Sequence, residues 1–237
     1  MNDNLIRHIM GKILPTVNHT FKNPNSNPIL IMIGSILQWA DRNTIVWGPG
    51  FISAKSGIRR QPKKICAVRG PLSRNRLLKM GFSCPDVYGD PALLYPRFYR
   101  PSTKKLYKLG IVAHYIDRHS PLMKNLKAKG VLDIHVKSDV DKIVGQICSC
   151  ERIASSSLHG LVVADAYGIP STWIKITNKV LGLGFKFRDY FASVGRTETE
   201  PLVISPGVGI SDILNSFNPY EIKIDLEKLW ECCPVRR

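Results

Sequence analysis

Short apolar runs that end at glycine turns constrain the fold of this chain more than any other feature of its sequence. Residues 28–33 are apolar with β-branched side chains and stop at Gly34-Ser35, and helical spacing follows. Further apolar runs at residues 44–47 and 65–68 also end at turns that contain glycine. Repetition of strand, turn and helix predicts an α/β fold with an open parallel sheet and a ligand crevice at its carboxyl edge.

The same pattern restarts after a stretch interrupted by Pro91, Pro96 and Pro101, where a continuous helix or central strand is disfavoured. The predicted strands here are 109–114, 131–136, 152–154 and 171–176. The predicted helices of the chain include 72–80, 121–129 and 158–167. A further helix is predicted to begin at an N-cap, Ser138, and to end near Cys150. We therefore predict an amino-terminal α/β domain (1–100), a linker (101–106), a carboxyl-terminal α/β domain of the same kind (107–208) and a helical tail that packs back (209–237).

The charge balance predicts an anionic partner. Lys and Arg number 34 against 18 Asp and Glu, which gives a formal charge of +16. The basic residues are scattered and form no motif with stacking aromatic residues, so we expect no nucleic-acid partner. A phosphorylated small substrate and an acidic membrane surface fit the charge equally well, and a merely soluble basic surface is the remaining alternative.

Several features favour a cytoplasmic protein. The six cysteines have neither zinc-site nor CxxC spacing, which indicates reduced thiols. Residues 1–14 mix charged and apolar side chains, unlike a signal peptide, and the apolar run 29–40 is far shorter than the ~20 residues that span a bilayer. We expect a cytoplasmic location, with peripheral contact at the inner face of the plasma membrane. No cluster of His, Asp and Glu has ligand spacing, so we expect neither metal nor cofactor.

Three serines and a histidine lie where a predicted buried strand turns into a helix. Ser155, Ser156 and Ser157 precede His159 and Gly160. The amides and partial positive charge of a helix start favour a phosphate or carboxylate, and a histidine in the first turn can carry a proton to the bound group. The alternative is that the serines cap the helix and His159 hydrogen-bonds inside the core.

Five further residues carry suitable chemistry. Arg69 directly follows a strand, and its forked guanidinium matches a carboxylate or phosphate, although a surface arginine covering the turn is equally compatible. Gly50 brings bare backbone close to anything bound above it. Asp90 either orients an acceptor hydroxyl or caps the next element. Lys186 and Arg188 lie in an aromatic and basic segment that we interpret as a sugar-stacking and anion-holding loop, or as an ordinary solvated loop.

Six blocks in order resemble the polysaccharide pyruvyl transferase family, in particular the branch that pyruvylates bacterial exopolysaccharides. They are Gly34-Ser35-Ile36-Leu37, Trp47-Gly48-Pro49-Gly50-Phe51, Val68-Arg69-Gly70-Pro71, Gly89-Asp90-Pro91-Ala92-Leu93-Leu94, residues 155–160 with 164–170, and Lys186-Phe187 with Asp189-Tyr190. The resemblance covers about residues 1–195.

Two departures from the family pattern stand out. Many members carry arginine where this chain has Ser157, so an anion contact would come from Arg152, Lys175 or Lys186. The family's opening strand and Asn-x-Gly-Asp turn have no counterpart, which indicates either a truncated reading frame or a divergent one.

The resemblance implies two Rossmann-like domains in a GT-B-like arrangement and transfer of pyruvate as a cyclic ketal from phosphoenolpyruvate to a sugar. That sugar would belong to a lipid-linked repeat unit of an exopolysaccharide or capsule. His159 would protonate the enol methylene, and Arg69 would hold the donor. The other implied substrate contacts are Ser35, Gly50, Asp90, Ser155, Ser156, Ser157, Gly160 and Lys186. The alternatives are a GT-B-like glycosyltransferase that uses a nucleotide sugar and an inactive anion-binding relative.

Overall fold

The structure is a computed structural model that describes residues 28–235. The predictions that concern residues 1–14 and the missing first strand lie outside the described residues. Two compact units are present. The amino-terminal unit contains residues 28–94, Gly182–Thr197 and 222–235, and the central unit contains Tyr95–Leu181 and Glu198–Glu221. The chain therefore passes between the units at residues 94–95, 181–182, 197–198 and 221–222.

Strands and helices alternate through the described residues. The strands are β1 (Ile29–Ile31), β2 (Thr44–Trp47), β3 (Lys64–Ala67), β4 (Leu109–Val112), β5 (Val131–Asp133), β6 (Ile153–Ser155), β7 (Ser171–Lys175) and β8 (Leu202–Val203). The helices are α1 (Pro71–Lys79), α2 (Val140–Cys148), α3 (Leu158–Ala166), α4 (Phe185–Ser193), α5 (Ile210–Asn215) and α6 (Leu226–Glu231). Short 3₁₀ segments lie at Leu37–Trp39, Pro91–Arg97 and Pro121–Leu126. The predicted α/β class is confirmed, because every strand pair in both sheets is parallel.

The sheet of the amino-terminal unit has the order β1-β2-β3. Ile29 pairs with Thr44 and Ile45 with Lys64, and the register shifts between Val46 and Trp47. Its buried core joins strand, loop and helix residues: Leu37, Ala40, Val46, Phe51, Ile58, Val68, Leu77, Cys84 and Phe185. The carboxyl-terminal helix α6 also belongs to this unit, since the buried Trp47 indole donates a hydrogen bond to the Leu229 carbonyl at 3.0 Å.

The sheet of the central unit has the order β5-β4-β6-β7-β8. The chain leaves β4 for β5 on one side and then returns to β6 on the other side, so the strand order reverses between β4 and β6. Such a switch point opens a crevice at the carboxyl ends of the two strands, which is where open α/β sheets bind ligands. Its core contains Leu109, Ile111, Ala113, Met123, Leu126, Ala154, Ile174, Ile176, Ile204 and Ile213.

Helix formation follows local sequence rules. Pro71 occupies the first turn of α1, where a missing N–H costs nothing. Helix α2 buries Val140, Ile143, Val144 and Ile147, a stripe at the spacing of one helical face. Helix α3 is buried at every residue from Leu158 to Asp165, as expected of an apolar helix inside an α/β unit. No helix within residues 28–235 is both long enough and apolar enough to cross a bilayer.

Three local predictions were wrong. The cap of α2 is Asp139, which accepts hydrogen bonds from the Asp141 and Lys142 amides, and not Ser138. Of the predicted helix 121–129, only Pro121–Leu126 is helical, and it is a 3₁₀ segment. The supposed loop around Lys186 is helix α4, because Phe187, Tyr190 and Phe191 recur at helical spacing and are buried.

Two glycines after the strands of the amino-terminal unit permit close approach. Gly48 has φ +89°, and a Cβ there would lie 2.1 Å from Pro91 Cδ. A Cβ at Gly70 would lie 1.9 Å from the Asp189 carbonyl oxygen. Both turns after β2 and β3 therefore need a residue without a side chain.

All six cysteines are thiols outside any disulfide, and burial makes several of them poor nucleophiles. Desolvation raises the pKa of Cys84 to about 12, and the pKa values of Cys150 and Cys232 to about 11. With these raised pKa values the three sulfurs stay protonated at pH 8, and the thiolate, which is the reactive form, is scarce.

Iodoacetamide is expected to label the native chain slowly at Cys84, Cys150 and Cys232 and to label all six cysteines after unfolding in guanidinium, as counted by mass spectrometry. Rapid native labelling of Cys84 would contradict this expectation.

Candidate functional site

The predicted serine turn lies at the switch point of the central unit. Ser155 is the last residue of β6, and α3 begins at Leu158. The Ser155 hydroxyl lies 2.8 Å from the Val112 carbonyl oxygen and accepts the Ser157 N–H at 3.0 Å. This buried hydroxyl therefore fixes the path from strand to helix.

The second hydroxyl of the turn is held by a carboxylate. Ser156 Oγ donates to Asp117 Oδ2 at 2.7 Å and accepts the His114 N–H at 2.9 Å. Thr177 Oγ1 lies 2.5 Å from Asp117 Oδ1. Asp117 is fully buried and thus joins the loops that follow β4, β6 and β7. Hydrogen bonds to a charged carboxylate are shorter and stronger than bonds between neutral groups. The bonds from Ser156 and Thr177 to Asp117 therefore rigidify the carboxyl edge of the sheet.

The third serine and the histidine begin helix α3. Ser157 is the N-cap residue, but its side chain makes no capping hydrogen bond, so the capping interpretation does not apply to it. His159 lies in the first turn and is 6% exposed. The first amides of a helix have no intrahelical acceptor and carry the positive end of its dipole. The Ser156, Ser157 and Gly160 amides already donate to the Val112 carbonyl, the Ser155 hydroxyl and the Ser157 carbonyl. The turn thus offers the positive end of the helix dipole, the Ser157 hydroxyl and an imidazole on one short segment.

A second histidine, His114, lies at the same edge and was missed by sequence reasoning. It follows β4, and its Nδ1 accepts the Ile116 N–H at 3.3 Å. In the neutral ring this bond places the proton on Nε2. Its backbone N–H is bound to Ser156, so the loop after β4 and the serine turn are joined directly.

Gly160 has a packing role in this turn. A Cβ there would lie 2.3 Å from Ser155 Oγ and 2.8 Å from Val112 Cγ1. The absent side chain lets the first turn of α3 approach β4 and β6. The predicted substrate contact of Gly160 stays a prediction.

Arg69 forms a buried cluster within the amino-terminal unit. Its Nε donates to Asp189 Oδ2 at 3.0 Å, one terminal nitrogen donates to Ser35 Oγ at 2.9 Å, and the other donates to the Phe51 carbonyl at 2.7 Å. Asp189 also accepts the Ser73 hydroxyl at 2.6 Å. Neither charged side chain has exposed surface.

This arrangement gives Arg69 a defined structural task. It ties the loops after β1 and β2 to helix α4, and Ser73 extends the cluster to α1. Gly50 belongs to the same cluster, because a Cβ there would lie 2.4 Å from an Arg69 terminal nitrogen. The structure brings Ser35, Gly50 and Arg69 together, while their contact with a substrate stays a prediction.

The two remaining predicted residues also lie in the amino-terminal unit. Asp90 is fully buried, and its Oδ1 accepts the Ala92 N–H at 3.0 Å, which is the capping alternative. Lys186 is 9% exposed, and its amine lies 5.4 Å from the centre of the Phe187 ring. Within the described residues, no group of three His, Cys, Asp or Glu side chains is arranged to hold a metal ion.

Comparisons with known proteins agree on one family. The sequence model described as polysaccharide pyruvyl transferase matches residues 18–178. The chain is 32% identical over 188 residues to the uncharacterized protein L143 of Acanthamoeba polyphaga mimivirus, which covers 74% of this chain and 63% of that protein. It is 26% identical over 187 residues to the succinoglycan biosynthesis protein ExoV of Rhizobium meliloti (strain 1021), which covers 75% of this chain and 57% of that protein. The chain thus spans less than two thirds of these relatives. No solved structure matches it.

Proposed function

Because this chain belongs to the polysaccharide pyruvyl transferase family, we propose that it transfers pyruvate from phosphoenolpyruvate to a sugar of a polysaccharide repeat unit. The product would be a cyclic ketal, and the acceptor would be a lipid-linked oligosaccharide at the inner face of the plasma membrane. The similarity to a succinoglycan biosynthesis protein supports a polysaccharide acceptor.

The observation that carries the proposal is the serine turn at the switch point of the central sheet. Ser155 and Ser156 hold its backbone rigid, and His159 follows in the first turn of α3. A phosphate or carboxylate placed at this helix start would meet the favourable end of the helix dipole and the Ser157 hydroxyl, which makes no capping hydrogen bond. Phosphoenolpyruvate carries both groups.

In the proposed reaction the His159 imidazolium gives a proton to the methylene carbon of phosphoenolpyruvate. The central carbon becomes electrophilic, and a sugar hydroxyl adds to it and returns its proton to the His159 imidazole. A second hydroxyl then attacks the same carbon, the bond to the phosphate oxygen breaks, and inorganic phosphate leaves with the proton of that hydroxyl as the ketal closes. His159 acts as the general acid of the first step.

Donor binding can be tested by thermal melting without knowledge of the acceptor. Phosphoenolpyruvate at 100 times its Kd is expected to stabilise the chain by about 2.7 kcal/mol. This corresponds to a rise in Tm of roughly 2–4 °C per kcal/mol for a chain of this size. Uridine nucleotides serve as the comparison. A rise with a uridine nucleotide and none with phosphoenolpyruvate would contradict the proposal and favour a glycosyltransferase.

A further inference from the structure

A basic groove lies on the central unit, outside the serine turn. It encloses about 440 Å³ and is lined by side chains from the loop after β4, the following 3₁₀ segment and the end of β5. The polar residues that define this basic groove are Arg118, His119, Ser120, Lys124, Lys127 and Asp133. Its volume lies within the range of small-ligand sites, about 300–1,000 Å³.

Positive charge in the groove exceeds negative charge. Arg118 donates to Asp133 Oδ1 at 3.2 Å across a partly exposed pair. Within residues 28–235, no carboxylate lies in salt-bridge contact with Lys124 or Lys127. Two ammonium groups and a guanidinium around one concavity therefore produce a field that attracts an anion.

The loop that contributes Arg118 to the basic groove also contacts the serine turn. Arg118 directly follows Asp117, whose carboxylate binds Ser156 and Thr177. The backbone of Asp117 is fixed as well, because its N–H donates to the His114 carbonyl at 2.8 Å. The loop that presents Arg118 is therefore anchored at the carboxyl edge of the central sheet, beside the switch point.

We propose that the basic groove binds a phosphate-bearing group at a site separate from the serine turn. The Arg118 nitrogens that do not bind Asp133 can donate to phosphate oxygens, and the lysines act as mobile point charges on the remaining oxygens. A diphosphate matches this set best, because its charge spreads over two phosphorus centres. The affinity of the groove for phosphate does not depend on whether the chain transfers pyruvate.

The test measures pyrophosphate binding to the full chain by calorimetry, with Lys124→Ala/Lys127→Ala as the groove variant. Each lysine can donate a charged hydrogen bond to phosphate, so removing both is expected to weaken pyrophosphate binding by about tenfold or more. Lys104→Ala/Lys108→Ala removes the same charge from exposed positions of the same unit and is expected to keep the affinity unchanged. Absence of saturable binding, or an equal loss in both variants, would overturn the proposal.

Vesicles distinguish a lipid headgroup from a free phosphate as the source. The probe is co-sedimentation with vesicles of phosphatidylglycerol and phosphatidylcholine. If the groove variant loses vesicle binding and pyrophosphate competes in the wild type, the group belongs to a lipid. If vesicle binding is unchanged while pyrophosphate binding falls, the group belongs to a soluble substrate. If the groove variant keeps both kinds of binding, the proposal is wrong.

Discussion

Replacing His159 with alanine is expected to lower turnover by about 10²–10⁴-fold, the contribution of a positioned general acid. The loss should appear in kcat and leave the donor-induced rise in Tm largely intact, because the start of α3 and the positive end of its dipole remain. The measurement is inorganic phosphate released from phosphoenolpyruvate in the presence of the acceptor sugar.

His135→Ala is the matched control for this variant. His135 is a partly buried histidine of the same unit, and its Nδ1 accepts the Lys137 N–H at 3.1 Å. Its removal is expected to leave turnover unchanged. Wild-type turnover in His159→Ala, accompanied by a lower Tm, would assign His159 to the core and contradict the catalytic role.

Replacing Asp189 with alanine is expected to destabilise the chain by about 3–5 kcal/mol, because the Arg69 charge would be left buried without its carboxylate. The Ser73 hydroxyl and amide would lose their acceptor as well. At roughly 2–4 °C per kcal/mol, the Tm should fall on the order of 10 °C. Thermal melting followed by circular dichroism measures the change.

The chain supplies its own comparison for this loss. Asp133 pairs with Arg118 at 3.2 Å, but their side chains are 36% and 28% exposed. Asp133→Ala is therefore expected to cost less than about 1 kcal/mol. Combining Arg69→Met with Asp189→Leu should recover stability relative to Asp189→Ala, since apolar side chains can replace a buried ion pair. An equal Tm for Asp189→Ala and Asp133→Ala would contradict the buried-pair argument.

Local sequence patterns predicted where strands and helices lie better than they predicted which distant residues contact one another. Strand β2 was predicted with its observed bounds because a β-branched run ends at glycine. The strand-to-helix junction at Ser155 was also predicted, with the strand 152–154 and the helix 158–167 close to the observed β6 and α3. Helix α4 was missed because neighbouring glycines and charges resemble a loop, although Phe187, Tyr190 and Phe191 already showed helical spacing.

Long-range pairing lay beyond sequence reasoning. Asp189 is 120 residues from Arg69, and Asp117 is 39 residues from Ser156. A carboxylate in a single sequence carries no sign of which distant hydroxyl or guanidinium it meets. Sequence position identified the residues at the strand ends, while tertiary structure alone revealed that Arg69 is fully enclosed.

Because the chain crosses four times between the units, segments that belong together leave the ribosome at different times. The amino-terminal unit is synthesised first, but it needs residues 182–197 to neutralise Arg69 and residues 222–235 to supply the acceptor for Trp47. At about 5–20 residues per second, the 120 residues between Arg69 and Asp189 take several seconds to translate. During that interval the Arg69 charge lacks its native carboxylate, so the part of the protein that is made first completes its folding last.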